Sequence, residues 1–192
     1  MSATSPELRQ AIITAARGEY YRHHDANYPR HKACIPWMLS VLRVLHAMGI
    51  RGIPQAGSAC WRFRSDESAG EVDATHFAYT FIPQEAMMRL MNNGLPEIHA
   101  WVGIPDSQEI IDMTTGFQSI QAKQMHGFDW APDCALPDAL FAVCPDELPF
   151  ECLYVPRRDA TSLVSQIATN IMRELNGKAP EPILATFTNE LE

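Results

Sequence analysis

Glu97-Ile-His-Ala-Trp-Val-Gly103 and Gln108-Glu-Ile-Ile-Asp-Met-Thr114 flank Ile104 and the turn signal Pro105-Asp106-Ser107. Two short runs rich in β-branched and aromatic residues around Pro-Asp-Ser read as strands near Ile98 to Ile104 and Glu109 to Met113, joined as a β-hairpin. With Asp106 and Ser107 as the central residues, Gly103 faces Ile110 and Trp101 faces Asp112, so His99 and Asp112 share one face as diagonal neighbours. Such neighbours have Cβ atoms roughly 7–8 Å apart or somewhat less, which lets an imidazole and a carboxylate hydrogen-bond. A slip of one residue would send the two side chains to opposite faces.

Towards the N-terminus the period changes from 2 to 3.6. Ser5-Pro6-Glu7 supplies an N-cap and a proline for the first helical position, and Leu8, Ile12 and Ala15 or Ala16 follow on one face, predicting a helix that ends near Tyr21. Arg22 to His31 is polar, rich in turn formers, and reads as a loop. A second helix is expected from Pro36, with Ile35, Met38, Leu39, Leu42 and Leu45 or His46 on its apolar face and Gly49 at the left-handed C′ position. Further strands are expected near Ile53–Phe63, His76–Ile82, Leu140–Cys144 and Glu151–Val155. Arg64 to Asp73 reads as a polar loop, and Pro83–Asn93 as a short helix stopped by Gly94. Asp159–Leu175 returns to helical spacing before Gly177, and residues 178–192, with Pro180 and Pro182, form a C-terminal appendage. Helices at both ends of a block of strands imply one α+β domain over residues 1–192, with N-terminal helices packed on an antiparallel sheet.

The 192 residues are 46% hydrophobic and 20% charged, enough for a buried core. Lys and Arg number 15 against 23 Asp and Glu, a net charge of -8, and such a field repels a phosphate backbone, so nucleic acid is not an expected partner. No apolar run approaches the roughly 18–20 residues of a membrane span, and Met1 to Leu8 lacks the features of a secretory signal. A cytoplasmic protein off the membrane is expected. Cys34, Cys60, Cys134, Cys144 and Cys152 are odd in number and form no C-x-x-C pair, which points to reduced thiols. Cys60 lies on a presumed central strand and reads as core, and Cys144 and Cys152 flank Pro145 to Phe150, so they would be neighbours across a hairpin.

Cys34 stands at the entrance of the second helix, where unpaired N–H groups and the helix dipole favour a thiolate. The competing reading is a small apolar plug. For His99 and Asp112 the competing reading is a structural His–carboxylate pair. Together, a helix-start thiol, a strand histidine to take its proton and a carboxylate to orient the imidazole make a generalised Cys-His-Asp triad.

The same residues resemble a family. Leu42-Arg43-Val44-Leu45-His46-Ala47-Met48-Gly49-Ile50 after Cys34 is similar to the helix end that follows the nucleophile in transglutaminase-like proteins, a branch of the papain-like superfamily. His99-Ala-Trp-Val102 resembles their His-x-Trp-Val strand, and Ile111-Asp-Met-Thr-Thr-Gly116 their Asp-Pro-Thr strand end. The likeness covers Cys34 to Gly116, extends to the leader peptidases of lasso-peptide biosynthesis, and departs from the pattern at Met113 and Arg51. It implies a papain-like fold in which Cys34 attacks a carbonyl, His99 serves as base then acid, Asp112 orients it, and an acyl-thioester forms. The implied activity is hydrolysis of a peptide or isopeptide bond, or acyl transfer to an amine, on a peptide or protein substrate without a cofactor. The N–H of Cys34 is one oxyanion donor. Papain-like enzymes take a second from about six residues before the nucleophile, here Tyr28, with Asn27 and Gln55 as other polar candidates. Two rival functions stay open: an arylamine N-acetyltransferase-like enzyme using the same triad, and a non-catalytic peptide- or protein-binding domain.

Other features read as structural. The adjacent His23 and His24 point apart, and with Asp25 they make a solvated loop rather than a metal site. His126-Gly-Phe-Asp-Trp130 lies in a Pro-flanked loop expected to pack rather than to line a cleft, and Met87, Met88 and Met91 read as a core stripe.

Overall fold

The computed structural model describes residues 4–24, 33–64, 75–92, 94–143 and 152–179. Its elements are α1 (Pro6–His23), α2 (Cys34–Ala47), β1 (Ile53–Arg62), β2 (His76–Tyr79), α3 (Pro83–Met91), β3 (His99–Ile104), β4 (Glu109–Asp112), α4 (Gln118–His126), β5 (Leu140–Val143), β6 (Leu153–Pro156) and α5 (Arg158–Leu175). Short 3-10 turns lie at Thr115–Phe117 and Pro132–Cys134. The arrangement is α+β with a six-stranded antiparallel sheet. Of the expected features, Tyr28, Asn27, Asp25 and Cys144, with most of the loops around them, most of the Arg64–Asp73 loop and residues 180–192 of the appendage, lie outside the described residues.

Long strand β1 organises the sheet. Ala59 pairs with both Tyr79 of β2 and Tyr154 of β6, and Gly57 with both His99 of β3 and Pro156 of β6. A residue has only two edges, so β6 occupies one edge of β1 while β2 and β3 lie end to end along the other. β3 then pairs with β4, and β4 with β5. Gly57 permits the close approach of β6, since a Cβ there would lie 2.1 Å from the Val155 carbonyl oxygen.

Alternation along the strands separates two packed layers. One face carries Ala56, Ala100, Val102 and Ile111, buried against Ile12 and Ala16 of α1, Val41 and Leu45 of α2, and Leu163 and Val164 of α5. The opposite face carries Trp61 and Phe77, packed with Phe63, Ala122 of α4, Phe128 and Trp130. Each fully buried Val, Leu, Ile or Phe among these contributes about 1.5–3 kcal/mol of transfer free energy.

The helices follow local rules with small shifts. Ser5 Oγ accepts from Leu8 N at 3.3 Å, and Ile12, Ala16 and Tyr20 form the buried stripe of α1, which runs two residues beyond Tyr21. Tyr20 stacks on Trp37 of α2 at 3.7 Å. Helix α2 starts at Cys34 rather than Pro36, because a proline still falls where the first-turn N–H groups have no intrahelical partner. It ends in a Schellman motif, with Gly49 at φ 71° and Ile50 N donating to Leu45 O at 2.9 Å.

Two expectations are corrected here. The methionines of α3 are not a core stripe: Met87 packs on the core, but Met88 and Met91 are exposed, since α3 turns only Ala86 fully inward. Cys60 is half-buried rather than core, lying where β1 is flanked by the short strands β2 and β6.

Candidate active site

The hairpin sets the site. Ladder pairs Gly103↔Ile110 and Ile104↔Glu109 match the register read from the turn, although the connection is a four-residue loop, Pro105 to Gln108, with Gln108 at φ 58°. An even number of loop residues preserves the pairing, so Trp101 faces Asp112 and His99 lies diagonal to it. The two side chains meet: His99 Nε2 is 2.7 Å from Asp112 Oδ2, and both residues are buried.

Asp112 is fully coordinated. Its Oδ2 also accepts from the Tyr154 hydroxyl at 2.8 Å, which in turn accepts from Trp61 Nε1 at 3.0 Å. Its Oδ1 accepts from Thr114 N at 2.8 Å and Thr114 Oγ1 at 2.6 Å. Gln118 Nε2, on α4, donates to Thr114 O and Oγ1, both at 3.3 Å. Burial alone would raise the Asp112 pKa, but the charge of His99 and the hydrogen bonds from His99 and Thr114 hold it below the ordinary carboxylate range. A carboxylate bound this way is a fixed anion against the imidazole.

The imidazole is caged by aromatic rings. Trp61 meets it edge-on at 4.9 Å, Tyr79 stacks on it at 5.5 Å with planes 16° apart, and Trp101 lies at 5.9 Å. Nε2 is taken by Asp112, which leaves Nδ1 to face any other partner.

Cys34 is the first residue of α2, and its Sγ lies 4.0 Å from Ile98 O, beside the start of β3. Cys34 and His99 line one cavity of about 440 Å³, together with Tyr79, Thr114, Gln118 and Ile167. No hydrogen bond joins Cys34 to His99. The helix-start argument for a thiolate is overturned at rest: desolvation at the packed seam, reinforced by the nearby charge of Asp112, outweighs the bonds from backbone N–H groups and pushes the thiol up to about 11. Cys34 therefore waits as a neutral thiol.

Other candidates fall elsewhere. Gln55 does not line this cavity; its Oε1 accepts from Trp101 Nε1 at 2.7 Å. Phe128 stacks on Phe63 at 5.0 Å and Trp130 Nε1 donates to Cys134 O at 2.8 Å, so the 126–130 segment packs rather than lining the cavity. His23 pairs with Glu19 at 3.1 Å, and the His24 ring lies 4.7 Å from Tyr20, tilted by 35°. Among the described residues no group of three or more His, Cys, Asp or Glu is placed to hold a metal ion, and no helix is long and apolar enough to cross a membrane. Among the described residues, Cys34, Cys60, Cys134 and Cys152 form no disulfide with one another.

Sequence reasoning missed Thr114 and Tyr154 as partners of Asp112, and Gln118 and Trp61 as the residues that bond those partners in turn. An Asp-x-Thr at a strand end is an Asx-turn signal that would have found Thr114; the other three carry no local signal. Compared with known proteins, the chain matches no family model, no curated protein and no solved structure.

Proposed function

We propose that the protein is a thiol-dependent amide-bond hydrolase or acyl transferase of papain-like, transglutaminase-like type, with Cys34 as nucleophile, His99 as general base and acid, and Asp112 as orienting carboxylate. The observation that carries this reading is a cysteine at a helix start sharing one cavity with a histidine whose far nitrogen is held 2.7 Å from a buried, fully coordinated carboxylate.

Because Cys34 is neutral at rest, proton transfer accompanies attack. The Sγ–C bond forms as the thiol proton moves to His99 Nδ1 and the carbonyl electron pair moves to oxygen. His99 then gives that proton to the departing nitrogen as the C–N bond breaks, leaving an acyl-thioester and a free amine. Water or a second amine attacks the thioester carbonyl as His99 takes the incoming proton; the C–S bond then breaks, the carboxylic acid or new amide leaves, and His99 returns the proton to sulfur to restore the thiol. Throughout, Asp112 stays ionised and stabilises the imidazolium. The partner is accordingly a peptide or protein acyl donor.

The test is acylation of the purified protein by 4-nitrophenyl acetate and by a peptide anilide, followed by mass spectrometry. An acetyl group on Cys34, absent in His99→Ala, is expected. If purified Cys34→Ala reacts as fast as the parent, the enzyme reading is wrong and a binding domain on the same fold replaces it.

A further inference from the structure

From the shared cavity and the ring packing, we infer that Tyr79 is a further catalytic residue: its hydroxyl donates a hydrogen bond to the oxyanion formed when Cys34 attacks a carbonyl. This rests on the acyl-transfer reading above and supplies the second donor that the reaction lacks.

Four observations meet at this side chain. Tyr79 lines the cavity that holds Cys34 and His99. Its ring is anchored, stacked on His99 at 5.5 Å and set edge-on to Trp61 at 5.9 Å and to Phe77 at 5.3 Å. It closes the last pair of β2, opposite Ala59, so backbone pairing holds it at the point where β2 gives way to β3 and His99 begins. Finally, Tyr79 is half-buried and its hydroxyl makes no hydrogen bond among the described residues, although the Tyr154 hydroxyl is fully engaged. A rigidly mounted tyrosine with an uncommitted O–H at a nucleophile's cavity is a preorganised donor, ready without reorganisation when charge develops.

The hydroxyl also keeps its proton. Burial, reinforced by the nearby charges of Asp112 and Glu97, pushes the Tyr79 pKa well above the tyrosine range. Tyr79 can therefore donate to an oxyanion but does not surrender its proton to it. During attack the carbonyl electron pair moves to oxygen, Tyr79 and the Cys34 N–H bond that oxygen, and the thiol proton goes to His99. On collapse the pair returns, the C–N bond breaks, and the tyrosine is unchanged. Tyr28, the donor expected from the family likeness, is the competing candidate.

The experiment compares the parent, Tyr79→Phe and Tyr28→Phe in two reactions of Cys34. Acylation by 4-nitrophenyl acetate or a peptide anilide builds an oxyanion, whereas alkylation by iodoacetamide displaces iodide and builds none. Phenylalanine keeps the ring and removes only an unbonded hydroxyl, so the variant is expected to fold with unchanged thermal stability. Loss of one oxyanion donor costs about 10²–10³-fold in kcat. Tyr79→Phe is therefore expected to lose about that much acylation, with KM little changed and alkylation within about twofold of the parent. Equal acylation by Tyr79→Phe and the parent overturns the assignment, as does parallel loss of acylation and alkylation, which would make Tyr79 a positioning residue for Cys34. A loss in Tyr28→Phe with Tyr79→Phe unaffected transfers the role to Tyr28 and overturns it as well. If the parent is alkylated but never acylated, the acyl-transfer reading and this inference fail together; if the parent is acylated and Tyr79→Phe matches it, only this inference fails.

Discussion

Strand β4 carries two buried carboxylates three residues apart, and they sit in opposite chemical settings. Glu109 is tied by the Arg9 guanidinium at 2.8 Å, by Thr4 N at 3.1 Å and by the Thr4 and Ser107 hydroxyls. Asp112 is tied by His99, Tyr154 and Thr114. Each is held below the ordinary carboxylate range despite burial: Glu109 by bonds from Ser107, Thr4 and Arg9, Asp112 by the charge and bonds of His99 and by Thr114. The difference lies in the partner. A guanidinium never gives up its proton, so the Glu109 cluster can only fasten the start of α1 to the hairpin. An imidazole exchanges protons near neutrality, and this one lines a cavity with a thiol. A low carboxylate pKa therefore does not by itself tell the two clusters apart; the identity and placement of the partner beside each carboxylate do.

The sharpest break between the two clusters is expected in acylation rate. Cys34→Ala and His99→Ala should each abolish labelling by an ester or anilide probe, with the double variant scarcely worse, the signature of groups acting in one step. Glu109→Gln should label within about twofold of the parent.

Next comes a reciprocal pair. Asp112→Asn is expected to fold yet lose roughly 10³-fold or more in acylation, because the amide no longer holds the imidazole in the useful tautomer. Glu109→Gln should keep the rate while losing about 1–3 kcal/mol in urea unfolding, since the Arg9–Glu109 ion pair is broken. If the rate loss follows Glu109, the division between the clusters is wrong.

The thiol sharpens the contrast through pH. With Cys34 pushed up to about 11, its alkylation by iodoacetamide should be slow at neutrality and keep climbing towards that value, while Cys152, buried and pushed up to about 12, reacts later still. A plateau near pH 7 would reveal a resting thiolate and overturn the neutral-thiol mechanism.

The smallest effect concerns acid stability. Both carboxylates titrate lower in the folded chain than in the unfolded one, so each adds stability that is fully present above the ordinary carboxylate range and is lost as pH falls through the folded value. Thr114→Val removes one O–H donor from Asp112, which should raise its folded pKa and move the acid limb of the stability profile upward by an amount worth about 1 kcal/mol. An unchanged acid limb would show that the backbone N–H of Thr114 and the other donors suffice.

Much of this site could be read before the fold was known. The His99–Asp112 pairing needed only a period of 2 and a turn of even length, and the position of Cys34 only a period of 3.6 and a terminal glycine at 49. Helix α4 was not legible, because the residues it buries are Gln118, Gln121 and Ala122, which leave no apolar stripe to find. The methionines of α3 misled for the converse reason: apolar side chains at helical spacing face solvent when the helix lies at the surface.

What the sequence determined by itself is therefore local: the α+β order of elements, the hairpin register that brings His99 and Asp112 together, and the helix start that presents Cys34. These follow from backbone periodicity and turn chemistry, which act over a few residues. Only the tertiary structure decided that Cys34 shares a cavity with His99, that Tyr154 of β6, itself bonded by Trp61 of β1, completes the coordination of Asp112, and that Tyr79 stacks over the imidazole with its hydroxyl uncommitted among the described residues. It also reversed the expected direction of the Cys34 pKa. A helix dipole is written in local sequence, whereas desolvation depends on everything packed around the sulfur, and here the packing wins.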